Sequence, residues 1–158
     1  MSLVCEYCGA PIQEGKTCKD LYYELSLYTL AHPDQHYFIH QLVVDAYAAQ
    51  HVTKDSKPVA VAGALVGLYL VVEHGYTGKQ VQQVHMKLGN HMKEWMIGRF
   101  PTAQSSMTVA SVLAAAPGQV RDDAIGQWVQ EVWKLWKFEK VSVGLLLKKY
   151  LKNYESRP

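Results

Sequence analysis

The run Val59–Val72, VAVAGALVGLYLVV, carries no charged residue over fourteen positions. A helix that crosses a bilayer needs about 20 predominantly apolar residues, so this run is too short for that. A surface helix is apolar along one stripe only, so the run is also too apolar for a surface. The chain must therefore enclose it. Its valines would suit a strand, but its length favours a helix. Ser56 is placed to cap the start, Pro58 suits the first turn, and Gly75 suits the stop. A helix enclosed on every side needs a surrounding layer, and the flanking sequence supplies one.

Thr17 and Asp20 have capping-box spacing ahead of a helix carrying Leu21, Leu25, Tyr28 and Leu30. That helix is expected to stop before Pro33. Asp34 is placed to cap a second helix, to about His51, with Phe38, Ile39, Leu42, Val43 and Ala46 inward. Thr77 opens a fourth helix to about Glu94, with Val81, Val84 and Leu88 inward. Residues 95–106 read as a loop and 108–115 as a short helix. After Pro117-Gly118, residues 119–137 are amphipathic, with Ile125, Trp128, Val129, Val132, Trp133 and Trp136 three and four apart. A last helix, 141–153, leads into a basic tail. No Asn-Gly or Asp-Gly joins two alternating segments, so no hairpin is expected. The expected fold class is all-α, a bundle of four to six helices. At 158 residues and 17.8 kDa the chain is one domain. Residues 1–17 form a small zinc knuckle packed on a helical body, 18–158.

The knuckle rests on the cysteines. Cys5, Cys8 and Cys18 are the only three in the chain. An odd count with a Cys-x2-Cys pair points away from disulfides and toward metal. Two cysteines at that spacing can bite one ion from a tight turn, and Gly9 lets the backbone fold beneath it. Structural zinc takes four ligands from Cys and His, so one histidine must complete the set. If the first two helices form an antiparallel hairpin about Pro33, Cys18 lies level with Ala48, and His51 is one turn beyond. His32 and His36 fall at the far end of the hairpin, and His40 lies about two turns short. The expected site is therefore Zn2+ on Cys5, Cys8, Cys18 and His51, with His40 as the alternative fourth ligand. The start of a capped helix also favours the Cys18 thiolate. A closed shell would be structural, whereas an open fourth position would admit a catalytic water.

His36, His40, Tyr47 and His51 share one face of the second helix, with Glu24 of the first helix roughly level with His40. A carboxylate facing a histidine is a general base, a second metal site or a satisfied buried network. The catalytic candidates are accordingly His40, Glu24, Asp45 and Tyr47, although Asp45 points to nearly the opposite side. His74 and His85 are further candidates for an open metal site, and His91 is expected on the surface. No Gly-x-Ser-x-Gly, dinucleotide-binding or Walker-type motif is present. The tryptophans are read as core. Net charge is only +2, which disfavours nucleic acid despite Lys148, Lys149, Lys152 and Arg157 beside Tyr150 and Tyr154.

Three functions follow. The first is a zinc-stabilised helical protein with a binding or regulatory role. The alternative is a metal-dependent enzyme with a site lined by His40, Glu24 and His51. The third is a weak nucleic-acid-binding zinc module. The balance leans away from an enzyme. The expected partner is a protein or a small molecule, with no membrane, and a homodimer is left open. The absence of a secretory signal places the chain in the cytoplasm.

Several segments carry a resemblance. They are Cys5–Ala10, Cys18 with Asp20, and Ile39-His40-Gln41-Leu42-Val43-Val44-Asp45-Ala46-Tyr47-Ala48-Ala49-Gln50-His51. They resemble a family of short bacterial and archaeal proteins of unknown function. Its members pair a Cys-x2-Cys-Gly-Ala knuckle with a His-x-Leu-x-Val-Asp-Ala-Tyr-x-x-Gln-His helix. Residues 128–136 and 108–112 resemble further segments of that family. The resemblance implies that His40, Asp45, Tyr47, Gln50 and His51 are signature positions. Val52 stands where members carry proline. The resemblance implies a site and no particular activity.

Overall fold

The computed structural model describes residues 3–13, 15–31, 37–94 and 100–151. Pro33, Asp34, His32, His36, Trp95, Lys152, Tyr154 and Arg157 lie outside the described residues, so the expectations resting on them are not followed further. The fold is all-α, as expected. Six helices of 11–18 residues form it: α1 Cys18–Ala31, α2 His40–Gln50, α3 Pro58–His74, α4 Gly78–Leu88, α6 Gln119–Trp136 and α7 Lys140–Tyr150. A six-residue α5, Val109–Ala114, lies between α4 and α6.

The central run is a helix and is enclosed. Ten consecutive residues of α3, Val61–Leu70, are buried. Helices α2, α4, α6 and α7 pack around α3, and α1 lies outside them against α2 and α5. Gly75 ends α3 at φ 67°, with Tyr76 N–H donating to Leu70 O at 3.0 Å and Gly75 N–H to Val71 O at 3.1 Å. This is the left-handed glycine stop that the sequence implied. Ser56 is not the cap. Lys57 occupies that place, and Ser56 Oγ instead accepts from Thr53 N at 2.9 Å to close the preceding turn.

The expected box at Thr17 forms, and Thr77, expected as a cap, forms a second one with Gln80. Thr17 N donates to Asp20 Oδ2 at 2.9 Å, and Asp20 N to Thr17 Oγ1 at 3.2 Å. These bonds hold the Asp20 carboxyl below its usual range. Thr77 and Gln80 make the reciprocal pair at 2.9 and 3.1 Å. Helix α4 stops at Leu88 instead of running to Glu94. Gly89 sits at φ 49°, and a 3-10 segment, Gly89–Glu94, continues. Likewise α7 ends at Tyr150, short of the expected 153.

Helix α2 begins at His40, six positions after the expected cap. Phe38 has φ 56°, which no right-handed helix accommodates. This corner is braced by α4. Tyr37 O accepts from Lys79 N at 2.9 Å, and Phe38 O occupies the place where a Gly78 side chain would be.

The N-terminus departs from expectation in another way. Leu3–Val4 and Pro11–Ile12 pair antiparallel, with Leu3 opposite Ile12 and Val4 opposite Pro11. The hairpin signal was missed because its turn is the Cys5–Ala10 knuckle and not a two-residue Asn-Gly type. Gly9 at φ 80° supplies the left-handed step.

Trp128, Trp133 and Trp136 are core, each at most 1% exposed. Each indole N–H has an acceptor: Gln50 Oε1 at 2.8 Å, Glu73 Oε1 at 3.2 Å and Ala49 O at 3.1 Å respectively. The apolar bodies are therefore buried without stranding their polar atoms.

One carboxyl lies inside this core. Asp45 is buried, accepts from Gln41 Nε2 at 3.2 Å, and lies so close to α3 that any side chain at Gly67 would overlap its Oδ2. Burial pushes Asp45 well above the usual carboxylate range. The folded chain therefore keeps this proton to higher pH than the unfolded chain does. The resulting stability is complete below about pH 4 and is lost as pH rises toward the raised value. Asp45→Asn should remove that slope, so its advantage over the native chain should widen from about pH 5 to about pH 8. Denaturant titrations at both pH values test this, and parallel slopes would contradict it. Gly67→Ala should cost on the order of 3 kcal/mol, from overpacking a helix contact.

Candidate metal centre

Helices α1 and α2 run antiparallel, and three side-chain pairs define their register. Thr29 Oγ1 and His40 Nδ1 share a hydrogen bond of 2.9 Å. The Tyr22 and Tyr47 rings stack with centroids 4.2 Å apart. Cys18 Sγ and His51 Nε2 lie 3.3 Å apart. Each pair is equidistant from a point between positions 34 and 35. This is offset from a hairpin centred on Pro33, and it puts His51 directly opposite Cys18 rather than a turn beyond.

Four ligand-type atoms meet there. Cys8 Sγ is 3.5 Å from Cys18 Sγ, and Cys5 Sγ is 3.7 Å from His51 Nε2. All four atoms of Cys5, Cys8, Cys18 and His51 lie within 4.8 Å of one another. A tetrahedron with metal–sulfur bonds of about 2.3 Å and a metal–nitrogen bond of about 2.0 Å has edges of roughly 3.5–3.8 Å. The donor set can therefore hold one metal ion with little rearrangement.

Each ligand is placed by local structure. The knuckle closes through Cys5 N–H to Ala10 O and Gly9 N–H to Cys5 O, both at 2.8 Å. Gln104 covers the turn from outside. It donates to Tyr7 O at 3.3 Å, and its amide lies where a Gly9 Cβ would crowd it. Cys18 is the first residue of α1, at the positive end of the helix dipole. His51 caps the end of α2. Its Nδ1–H donates to Tyr47 O at 2.7 Å, which turns Nε2, the ligand atom of the neutral ring, toward the sulfurs. The Tyr47 ring stacks on the imidazole with centroids 3.9 Å apart. Histidine orientation is thus set by a carbonyl on one side and an aromatic face on the other.

The sulfur electrostatics favour a cation. The hydrogen bond from Cys18 pulls the Cys8 thiol down to about 4. The same contact, with burial, pushes Cys18 upward. One sulfur gives up its proton easily, and its neighbour then resists a second negative charge. A metal ion between them would remove that conflict. Burial pushes the Tyr47 hydroxyl above its usual range, with the nearby sulfurs adding to the effect.

The other candidates do not converge on a second site. Glu24 is exposed and pairs with Lys16 at 3.4 Å, so the expected Glu24–His40 pair does not form. The register places Glu24 opposite position 45, beyond reach of His40. His40 is half-buried at the other end of α2 from His51, and burial lowers its pKa. Tyr47 serves His51 instead of His40. Asp45 faces α3. His74 Nε2 meets the Tyr69 hydroxyl at 3.0 Å, and His85 Nε2–H donates to Gly63 O at 2.8 Å. Among the described residues only the Cys3His group can hold a metal ion. The histidine-lined enzyme site built on His40, Glu24 and His51 is therefore absent from this arrangement.

Two contributors escaped the sequence reading. Gln104 lies far along the chain, with no local signal. Gln50 was noted as a signature position without a role. It donates to Met107 O at 2.9 Å and accepts from Trp128 Nε1 at 2.8 Å, tying α2 to α6 and to the segment before α5.

The fold and the cluster define a class: an all-helical domain whose N-terminal knuckle and first two helices assemble a Cys3His group able to bind a metal ion. Residues 3–137 match a family described as "Family of unknown function (DUF5946)", and the chain belongs to it. No curated protein and no solved structure matches the chain.

Gln50→Leu should leave Met107 O and Trp128 Nε1 without partners at a cost of about 2–4 kcal/mol. Its metal content should equal that of the native chain, because the hydrogen bonds of the side chain go to Met107 and Trp128 and to no member of the cluster. Thermal unfolding with metal analysis checks both, and metal loss in the folded variant would contradict the assignment.

Proposed function

We propose that the protein is a zinc-binding helical domain in which Cys5, Cys8, Cys18 and His51 hold Zn2+ as a structural centre, and that its role is binding or regulation. The observation that supports this most is the meeting of four ligand atoms within 4.8 Å. Three thiolates and one imidazole in a tetrahedron suit zinc better than magnesium or calcium, which take oxygen ligands. Four protein ligands leave no open position for a water, so the ion would supply cohesion rather than Lewis-acid chemistry. It would join three segments: the knuckle of residues 1–17, the start of α1 and the end of α2. The two-residue strands of the knuckle bury little apolar surface, and a metal is the usual substitute for a core in so small a unit.

A cytoplasmic location fits this reading, since a reducing compartment keeps three thiols available. No described helix is long and apolar enough to cross a membrane. The net charge of +2 gives little electrostatic drive toward nucleic acid, which favours a protein or small-molecule partner.

The purified chain should contain about one zinc per molecule, because the four side chains would make one site. Cys5→Ser and Cys8→Ser should lose the metal and lower the melting temperature together. His51→Ala should weaken zinc retention against a competing chelator about tenfold or more. A metal-free native chain with unchanged stability after chelation would overturn the proposal. Full zinc retention in His51→Ala would overturn the fourth ligand alone.

A further inference from the structure

A cleft of about 270 Å³ lies between the knuckle, the end of α2, the end of α6 and residues 100–105. Cys8 forms part of its wall, and neither Cys5 nor Cys18 is among the described residues that line it. The cleft therefore distinguishes one sulfur of the cluster from the other two. Cys8 is only 2% exposed, so this cleft is its approach from outside. A water molecule takes about 30 Å³, which leaves room here for a small reagent.

The polar groups around Cys8 are already engaged. Gln50 bonds Met107 O and Trp128, Trp136 N–H donates to Ala49 O, Gln104 donates to Tyr7 O, and Ser105 Oγ accepts from Met107 N. The sulfur is the nucleophile that this wall presents.

A second sulfur stands behind it. Cys18 Sγ is 3.5 Å from Cys8 Sγ, whereas Cys5 Sγ faces His51 Nε2 at 3.7 Å. Spacing in the chain would pair Cys8 with Cys5, but the fold presents Cys18. The two sulfurs sit on separately braced segments. Cys8 lies in the turn closed by Cys5 N–H to Ala10 O, and Cys18 opens α1 behind the Thr17 box. A disulfide sets the sulfurs about 2.0 Å apart, so the pair needs a small closing movement.

We propose that Cys8 is a site of oxidation by hydroperoxides and that Cys18 resolves it, turning the pair into a disulfide with loss of the metal ion. The proposal rests on the zinc reading for the ion alone. The Cys8 thiolate attacks one peroxide oxygen, the O–O bond breaks, hydroxide leaves, and Cys8 becomes a sulfenic acid. The Cys18 thiolate then attacks the Cys8 sulfur, the S–S bond forms, and a second hydroxide leaves. The sulfurs give up two electrons, the peroxide accepts them, and solvent protonates both hydroxides to water. Cys5 and His51 remain, two ligands short of a closed zinc shell. The knuckle stays tied to α1, and the tie from α1 to the end of α2 is given up.

Zinc content of the reduced full chain is measured first and tests the metal reading by itself. Hydrogen peroxide is then added with a chromogenic chelator present, and the unreduced product is mapped by mass spectrometry. The expected result is a Cys8–Cys18 disulfide formed in step with zinc release, both reversed by dithiothreitol and added zinc. Thr102 is exposed and lines the cleft. Thr102→Trp should keep its zinc and slow the oxidation about tenfold by narrowing access to the sulfur. A Cys5–Cys8 disulfide, zinc release without a disulfide, a zinc-loaded chain that peroxide leaves unmodified, or an unchanged rate in zinc-loaded Thr102→Trp would each overturn the proposal. A chain purified without zinc would overturn the metal reading and the release step, and its peptide map would still decide the disulfide.

Discussion

The pairing register of α1 with α2 is the constraint on which the N-terminal half depends. Three rungs hold it: a threonine–histidine hydrogen bond at one end, a tyrosine stack in the middle and the Cys18–His51 approach at the other. Helical side chains recur every three to four residues, so sliding α2 by one residue would turn His51 about 100° away from the sulfurs. The Phe38 corner sets where α2 begins, and α4 holds that corner through Tyr37 O and the bare Gly78. An interaction at the N-terminus of α4 thus helps determine which histidine reaches the cysteines, far away in the sequence.

Close packing around α3 is the second layer of the argument. Helices approach it where glycine removes side chains, and the space gained at Gly67 admits a carboxyl rather than a methyl group. Large aromatic residues on α6 fill the remaining volume, and their indole nitrogens find acceptors on α2 and α3. Gln50 joins both themes, since it is one residue from His51 and bonded to the core tryptophan. The cysteine cluster and the hydrophobic core are therefore built on the same stretch of α2.

Much of this was legible in the sequence because it is written in local chemistry. The box at Thr17, the cap at Thr77, the Gly75 stop, the enclosed α3 and the tryptophan core all follow from spacing within a few residues. The Cys-x2-Cys turn and its partner Cys18 were legible for the same reason. His51 required a hairpin, and the simple estimate about Pro33 put it a turn beyond its observed level. What failed was non-local. Ser56 as a cap lost to a turn bond with Thr53, the start of α2 moved because α4 braces a left-handed Phe38, and Glu24 turned to solvent and Lys16 instead of His40. The N-terminal ribbon escaped notice because its turn residues are the cysteines themselves. Gln104 lies nearly a hundred residues from the knuckle it covers, so no spacing rule reaches it.

The contact between Asp45 and Gly67 has an evolutionary consequence. Neither position can change size alone. A side chain at 67 collides with the carboxyl, and a smaller residue at 45 would leave a hollow against α3. Relatives that keep a side chain of this size at the first position should therefore keep glycine at the second, and those with a larger residue at the second should carry a smaller one at the first. Such paired change, read across a set of homologous chains, would reveal the α2–α3 contact without any coordinates.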